Sequence, residues 1–140
     1  MTDLDATASA RAFLREHHRA ALATTRADGR TQMSPVTVDV DDAGSVVVST
    51  RETARKVAHL RARPYAAVMA FTDGFFGPWL QVEGPVRIVS LPEALPGLVD
   101  YYRRVSGEHP DWDDYRAAMV RDRRCLLQLT IERVGPTVQG

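Results

Sequence analysis

Between residues 9 and 18, Ala10, Phe13, Leu14 and His17 recur at helical spacing, which predicts a short amphipathic helix. From residue 20 the period falls to two. Residues 20–25 and 32–40 flank Arg26-Ala27-Asp28-Gly29-Arg30, where Asp-Gly supplies the positive φ of a hairpin turn. Val36, Val38 and Val40 alternate with Thr37 and Asp39, so one face of the second strand is apolar and the other polar. A turn at Asp41-Asp42-Ala43-Gly44 leads into a strand over 45–50, whose continuous centre Val46-Val47-Val48 suits cover on both faces.

Ser49-Thr50-Arg51-Glu52 has the form of a capping box and predicts a helix from about Thr50 to Arg61, stopped by Pro64. Strands follow over 65–71 and 79–89, joined by a loop with two glycines, Phe75 and Phe76. Ser90-Leu91-Pro92-Glu93 is a second capping box; the helical stretch behind it, disturbed early by Pro96 and Gly97, carries Leu98, Val99, Tyr102 and Val105 at helical spacing. Pro110 and Asp111 start another helix with Trp112, Tyr115 and Met119 on one stripe, and residues 125–134 form the last strand. Hairpins without a βαβ rhythm predict a mainly β, α+β fold: an antiparallel barrel with short peripheral helices.

A chain of 140 residues has room for one domain, residues 1–140. Acidic and basic residues balance at 18 each, so no global positive field favours nucleic acid, and any anion site must be local. No apolar run approaches the ~20 residues that span a bilayer, and the N-terminus has neither a basic start nor an apolar core; the expectation is a cytoplasmic protein with no membrane partner. Cys125, the only cysteine, reads as a buried apolar residue. His17, His18, His59 and His109 show no metal-ligand spacing, and Gly-x-Ser-x-Gly, Walker and Gly-x-Gly-x-x-Gly motifs are absent, which sets aside hydrolase and nucleoside-triphosphatase chemistry.

The most informative stretch is Ser49-Thr50-Arg51-Glu52-Thr53-Ala54-Arg55-Lys56. A helix start offers unpaired N–H groups, Arg51 and Arg55 lie one turn apart, and Lys56, the only lysine, lies beside them; together they make a phosphate site. The alternative is a surface ion pair between Glu52 and Lys56, four residues apart. Gln32-Met33-Ser34-Pro35 offers polar groups to the edge of a heterocycle, or is a solvated strand face. Trp79 in Trp79-Leu80-Gln81 either stacks on a planar cofactor or fills a core or subunit interface.

The run from Ala23 to Pro35 resembles the first hairpin of the pyridoxamine-5′-phosphate-oxidase-like split barrels, in the branch of F420-dependent oxidoreductases. His59-Leu60-Arg61-Ala62-Arg63-Pro64, Gln81-Val82-Glu83-Gly84, Gly107-Glu108-His109-Pro110-Asp111-Trp112 and Met119-Val120-Arg121-Asp122-Arg123-Arg124 resemble that branch's later blocks, in order. The resemblance implies an antiparallel split β-barrel working as a homodimer, with cofactor at the subunit interface. On matching positions Lys56 takes the cofactor phosphate, assisted by Ser49, Thr50 and nearby basic residues; Gln32, Ser34 and the Pro35 backbone line the ring; Trp79 and Gln81 approach the neighbouring subunit's cofactor. Family members often carry arginine two residues before this lysine. Here that position is Ala54, for which Arg51 or Arg55 substitutes.

The resemblance favours coenzyme F420, a deazaflavin, with FMN as the alternative. Hydride transfer belongs to such a cofactor, so no catalytic side chain is expected. The implied activity is reduction of a conjugated small molecule; FMN-dependent oxidoreductase chemistry and a non-catalytic carrier role are the other readings. Pyridoxamine-phosphate oxidases proper are longer and bring an arginine- and histidine-bearing C-terminal segment, whereas this sequence stops at Pro136-Thr137-Val138-Gln139-Gly140.

Overall fold

A computed structural model describes residues 3–137. Its elements in chain order are α1 (Asp3–Glu16), β1 (Arg19–Thr25), β2 (Thr31–Thr37), β3 (Asp39–Val40), β4 (Val46–Arg51), α2 (Arg55–Ala62), β5 (Tyr65–Phe71), β6 (Trp79–Val89), α3 (Leu95–Ser106), α4 (Trp112–Arg121), β7 (Arg124–Leu129) and β8 (Arg133–Thr137). Every strand pairing is antiparallel, in the order β2-β1-β5-β6-β7-β4-β3, with β8 added to β6.

The long strand β6 makes this a split barrel. Its first half, to Pro85, pairs with β5, and Val86 to Val89 pair with β7, so one strand belongs to two sheet halves. At the bend the chain after β7 crosses the backbone of Gly84. A Cβ there would sit 1.7 Å from the Thr130 carbonyl oxygen, so only glycine admits this crossing. Thr130 N–H donates to the Pro85 carbonyl and Glu132 N–H to the Glu83 carbonyl. These bonds take the chain from β7 to β6 and break the single strand expected over 125–134.

The barrel interior is filled from both halves by residues such as Leu22, Val68, Val82 and Leu127, and helices close it with Ala10 and Leu14 of α1 and Val57 and Leu60 of α2. A second cluster lies outside, where Leu98 and Val99 of α3 and Tyr115 and Met119 of α4 pack on Val47 and Leu126. The two-sided strand is as expected: Val46 and Val48 enter the barrel core and Val47 meets the helices. Cys125 is fully buried, and burial pushes its thiol up to about 11, which leaves it unreactive at neutral pH.

Several local expectations change. Helix α1 starts at Asp3 rather than near Ser9: its first turns carry Ala6 and Ala8, good helix formers, and Asp3 and Asp5 at the positive end of the helix, but no apolar stripe to reveal them. The strand expected over 32–40 is interrupted at Val38, whose N–H donates to the His18 carbonyl, and Asp39–Val40 leaves β1 to pair with β4. Neither capping box forms. Ser49 and Thr50 are still in β4, opposite Leu126 and Cys125, so their backbone serves the sheet, and α2 starts at Arg55 after Ala54 with no side-chain cap. Ser90 donates instead to the Glu52 carboxylate (2.6 Å), and α3 begins at Leu95, with Pro96 in its first turn rather than disturbing it. Helix α4 starts where expected, and Asp111 caps it by accepting from the Asp114 N–H.

Candidate functional site

Where the two sheet halves part, an open groove of about 790 Å³ runs between β1–β2 and the helices α3 and α4. That volume suits a small-molecule site. Pro35 and Thr37 form one side; Ser49 and Thr50, at the end of β4, meet Lys56 from α2; Tyr101, Tyr102 and Tyr115 form the opposite wall. Four of the residues singled out in the sequence therefore converge: Pro35, Ser49, Thr50 and Lys56.

The other six lie elsewhere in the protomer. Gln32 and Ser34 share a sheet face with Thr24 and Leu22, their cross-strand partners. Thr24 donates to the Gln32 carboxamide oxygen (3.5 Å) and sits 3.0 Å from His59 Nδ1, while the Ser34 hydroxyl is buried without a hydrogen-bond partner among the described residues. Arg51 and Arg55 are exposed and do not line the groove. Trp79 and Gln81 lie opposite Phe71 and Met69 on the outer face of β5–β6, where Gln81 donates to Glu83 (3.2 Å).

Away from Gln81 and Glu83, toward β1 and β2, that outer face is apolar and open. Ala21, Ala23, Ala67, Met33 and Met69 lie on it across β2, β1 and β5, with Met33 62% exposed. Pro35, opposite Ala21, and Phe71, opposite Trp79, belong both to this face and to the groove, so the two are continuous.

The head of the groove is cationic. Lys56 is not paired with Glu52: that carboxylate takes Arg61 and the Ser90 hydroxyl. The surface ion pair considered from the sequence is therefore not formed. Burial, and then the Arg124 guanidinium nearby, hold the Lys56 ammonium below the ordinary lysine value. Arg124 was not anticipated as a site residue. It begins β7 directly opposite Arg51, and its Nε is buried without a hydrogen-bond partner among the described residues. Only strand register brings it to Lys56; in the sequence it is one member of a charged run. Like charges held together with no acid between them favour an anion.

The opposite wall is aromatic and uncharged. Tyr101 donates to the Thr37 carbonyl (2.8 Å), and Tyr115 to the Leu98 carbonyl (2.9 Å). Burial raises both phenols, Tyr115 to about 12. Tyr102 packs against Tyr115, His109 and Trp112 with ring centroids 5.0, 5.1 and 5.8 Å away. The sequence placed Tyr102 and Tyr115 on helix stripes but did not show that both reach a groove. No group of three or more His, Cys, Asp or Glu side chains suited to a metal occurs among the described residues.

An antiparallel barrel split along one long strand, with a groove at the split that is cationic at one end and aromatic along one wall, defines a class of small-ligand-binding split barrels. The family model described as pyridoxamine 5′-phosphate oxidase matches residues 6–137, and the chain belongs to that family. Solved structures share the fold. A conserved hypothetical protein from Mycobacterium tuberculosis matches with a TM-score of 0.75 at 22% identity, over 96% of this chain and 82% of that one. An F420 reductase matches with a TM-score of 0.69 at 20% identity, over 89% and 94%. A heme binding protein from Mycobacterium smegmatis matches with a TM-score of 0.68 at 18% identity, over 94% of this chain but 56% of that one.

Proposed function

We propose that the protein is an oxidoreductase that binds a flavin-type cofactor in this groove, F420 in preference to FMN, and delivers hydride to a conjugated small molecule. The observation that carries this reading is the groove itself: an uncompensated ammonium at one end and a tyrosine wall beside it, matched to a phosphoryl group joined to a planar ring system. The orphaned Arg124 Nε is a donor in need of an oxyanion, so the residues present fit such a group. The preference for F420 rests on the resemblance of the sequence blocks and on the fold shared with an F420 reductase.

In this reading Lys56, with Ser49 and Thr50 lining the same end, holds the phosphoryl end, and the Pro35 edge and the tyrosines orient the ring and exclude water. The bound cofactor supplies the hydride chemistry, and no side chain is assigned a bond-making role. The open apolar face continuous with the groove supports a homodimer in which Trp79 and Gln81 meet the partner's cofactor. A cytoplasmic location is part of the same reading. No helix among the described residues is long and apolar enough to cross a membrane.

Parallel absorbance and fluorescence titrations with F420 and FMN test the assignment, followed by reduction of a panel of conjugated acceptors. F420 is expected to bind more tightly. FMN binding without F420 binding moves the protein to FMN chemistry, and F420 binding without turnover of any acceptor moves it to a carrier role.

A further inference from the structure

We propose that the turn between β5 and β6 crosses to a second copy of the chain, where Phe75 and Phe76 cover the mouth of that copy's groove and select a planar, uncharged acceptor. The homodimer and the ring in the groove are taken from the reading above; the cover and the orientation of the two copies go beyond it.

Phe75 and Phe76 are 86% and 95% exposed, more than any other large apolar side chain among the described residues, and their rings meet edge to face with centroids 4.9 Å apart. The turn that carries them is braced. Gly77 N–H and the Thr72 hydroxyl both donate to the Gly74 carbonyl (2.8 and 3.3 Å), and Asp73 pairs with Arg19 at the start of β1 (2.9 Å). A Cβ on Gly77 would sit 2.5 Å from the Thr72 hydroxyl oxygen, so glycine lets the turn close this tightly. Two phenyl rings held in water on a braced turn are an apolar load with no cover in their own copy, which marks an interface.

Strand register shows which arrangement of two copies can supply that cover. Thr37, Arg19, Phe71 and Trp79 form one row of the outer face across β2, β1, β5 and β6, at the end of the sheet where the turn sits. The first three of them also line the groove, so turn and groove share one end of the sheet, the turn beside β6 and the groove beside β2. Two such faces packed about an axis along the strands lay β2 of one copy over β6 of the other with like ends together. Each turn then reaches the other copy's groove mouth. An axis across the strands reverses the ends and sets the phenyl rings against the start of β5, where Tyr65 donates to Glu83 (3.3 Å) and Glu132 adds a second carboxylate. The first arrangement gives the rings Pro35 and the tyrosine wall as neighbours, the second gives them charge, and burial of apolar surface favours the first.

Area points the same way. A face of four strands, each paired over seven residues, offers roughly 450 Å². Two phenylalanines add about 300–500 Å². Together they reach the ~800 Å² per partner of a stable interface, which the face alone does not. The covered groove becomes a slot between tyrosines and phenyl rings, which keeps water out and favours a flat acceptor without charge.

The test exploits Cys125, the only cysteine and fully buried, so that introduced thiols react alone. Differently tagged copies, one F76C and the other T37C or Y65C, are produced together and treated with a short bismaleimide. F76C is expected to link to T37C of the other copy and not to Y65C. A link to Y65C alone, or to neither, would overturn the proposal and leave the cofactor reading standing. In the second arm F75S/F76S is compared with wild type, using whichever of F420 and FMN wild type binds. Affinity should hold within a few-fold because the Lys56 end is untouched, while acrylamide quenching of the bound cofactor's fluorescence should rise several-fold and sedimentation should show a weakened dimer. Unchanged quenching would overturn the cover even where T37C links. A T37C link in a protein that binds neither F420 nor FMN would sustain the docking of the turn and remove the cofactor reading.

Discussion

Two places in this molecule hold charge at the junction of helix and sheet, and they treat it in opposite ways. On one side of the barrel Arg104 of α3 reaches the Asp39 carboxylate of β3, whose side chain is 2% exposed, and the two charges cancel in a shared contact. At the groove Lys56 of α2 and Arg124 of β7 lie together with Arg51 opposite, and the carboxylate that could answer them is turned toward Arg61. A chain with balanced charge can therefore be locally complete in one region and incomplete in another. The complete pair holds α3 to the barrel; the incomplete cluster is where the proposed anion would bind.

Substitutions at the two places should separate stability from binding. The largest effect is expected for R104Q, which strands the Asp39 carboxylate in the interior and should cost about 3–5 kcal/mol in urea unfolding while leaving the groove's donors in place. Lys56→Ala should do the reverse. Its cofactor affinity should fall by about 1.5–3 kcal/mol, roughly ten- to a hundredfold, with the unfolding midpoint unchanged or raised. A Lys56→Ala protein as destabilised as R104Q would break the comparison, because both clusters would then be structural.

A pH series sharpens the same contrast. The free protein holds Lys56 below the ordinary lysine value through burial and Arg124, and a bound anion favours its charged form. Anion affinity should therefore be complete below the lowered value and decline as pH rises through it toward the unperturbed 10.5. The unliganded fold should change in the other direction over that interval, gaining stability as the ammonium loses its proton beside Arg124. Fluorescence titration at fixed ionic strength reads the first change and thermal denaturation the second; affinity that does not vary across the interval would remove Lys56 from the anion site.

The smallest effect is expected at Glu52. Replacing it by Gln releases Arg61, itself half exposed, and weakens the contact with Ser90, so the cost should be at most about 1 kcal/mol. Cofactor affinity should not change, since Glu52 is not the partner of Lys56. Tighter binding in E52Q by a few-fold would show that its negative charge opposes the ligand's from a distance; weaker binding would mean that Glu52 shapes the groove.

The sequence by itself determined most of the strands and the lysine. Period-two alternation, the Asp28-Gly29 turn and the three-valine centre of β4 are consequences of short-range sterics and face burial, so they are visible in the order of residues. Lys56 was visible because it is the only lysine and stands in a short basic helix. Tertiary structure alone decided where the chain changes partners, at Val38 and across Gly84, because those bends depend on which distant carbonyl accepts each N–H. It also decided that Ser49 serves a strand rather than a cap, because pairing of β4 with β7 claims its backbone. Asp39 read as part of a polar strand face and is buried on Arg104, 65 residues away. The groove's composition is of the same kind: Arg124 meets Lys56 through strand register, and the tyrosines reach it through helix packing, both long-range facts that no local periodicity encodes.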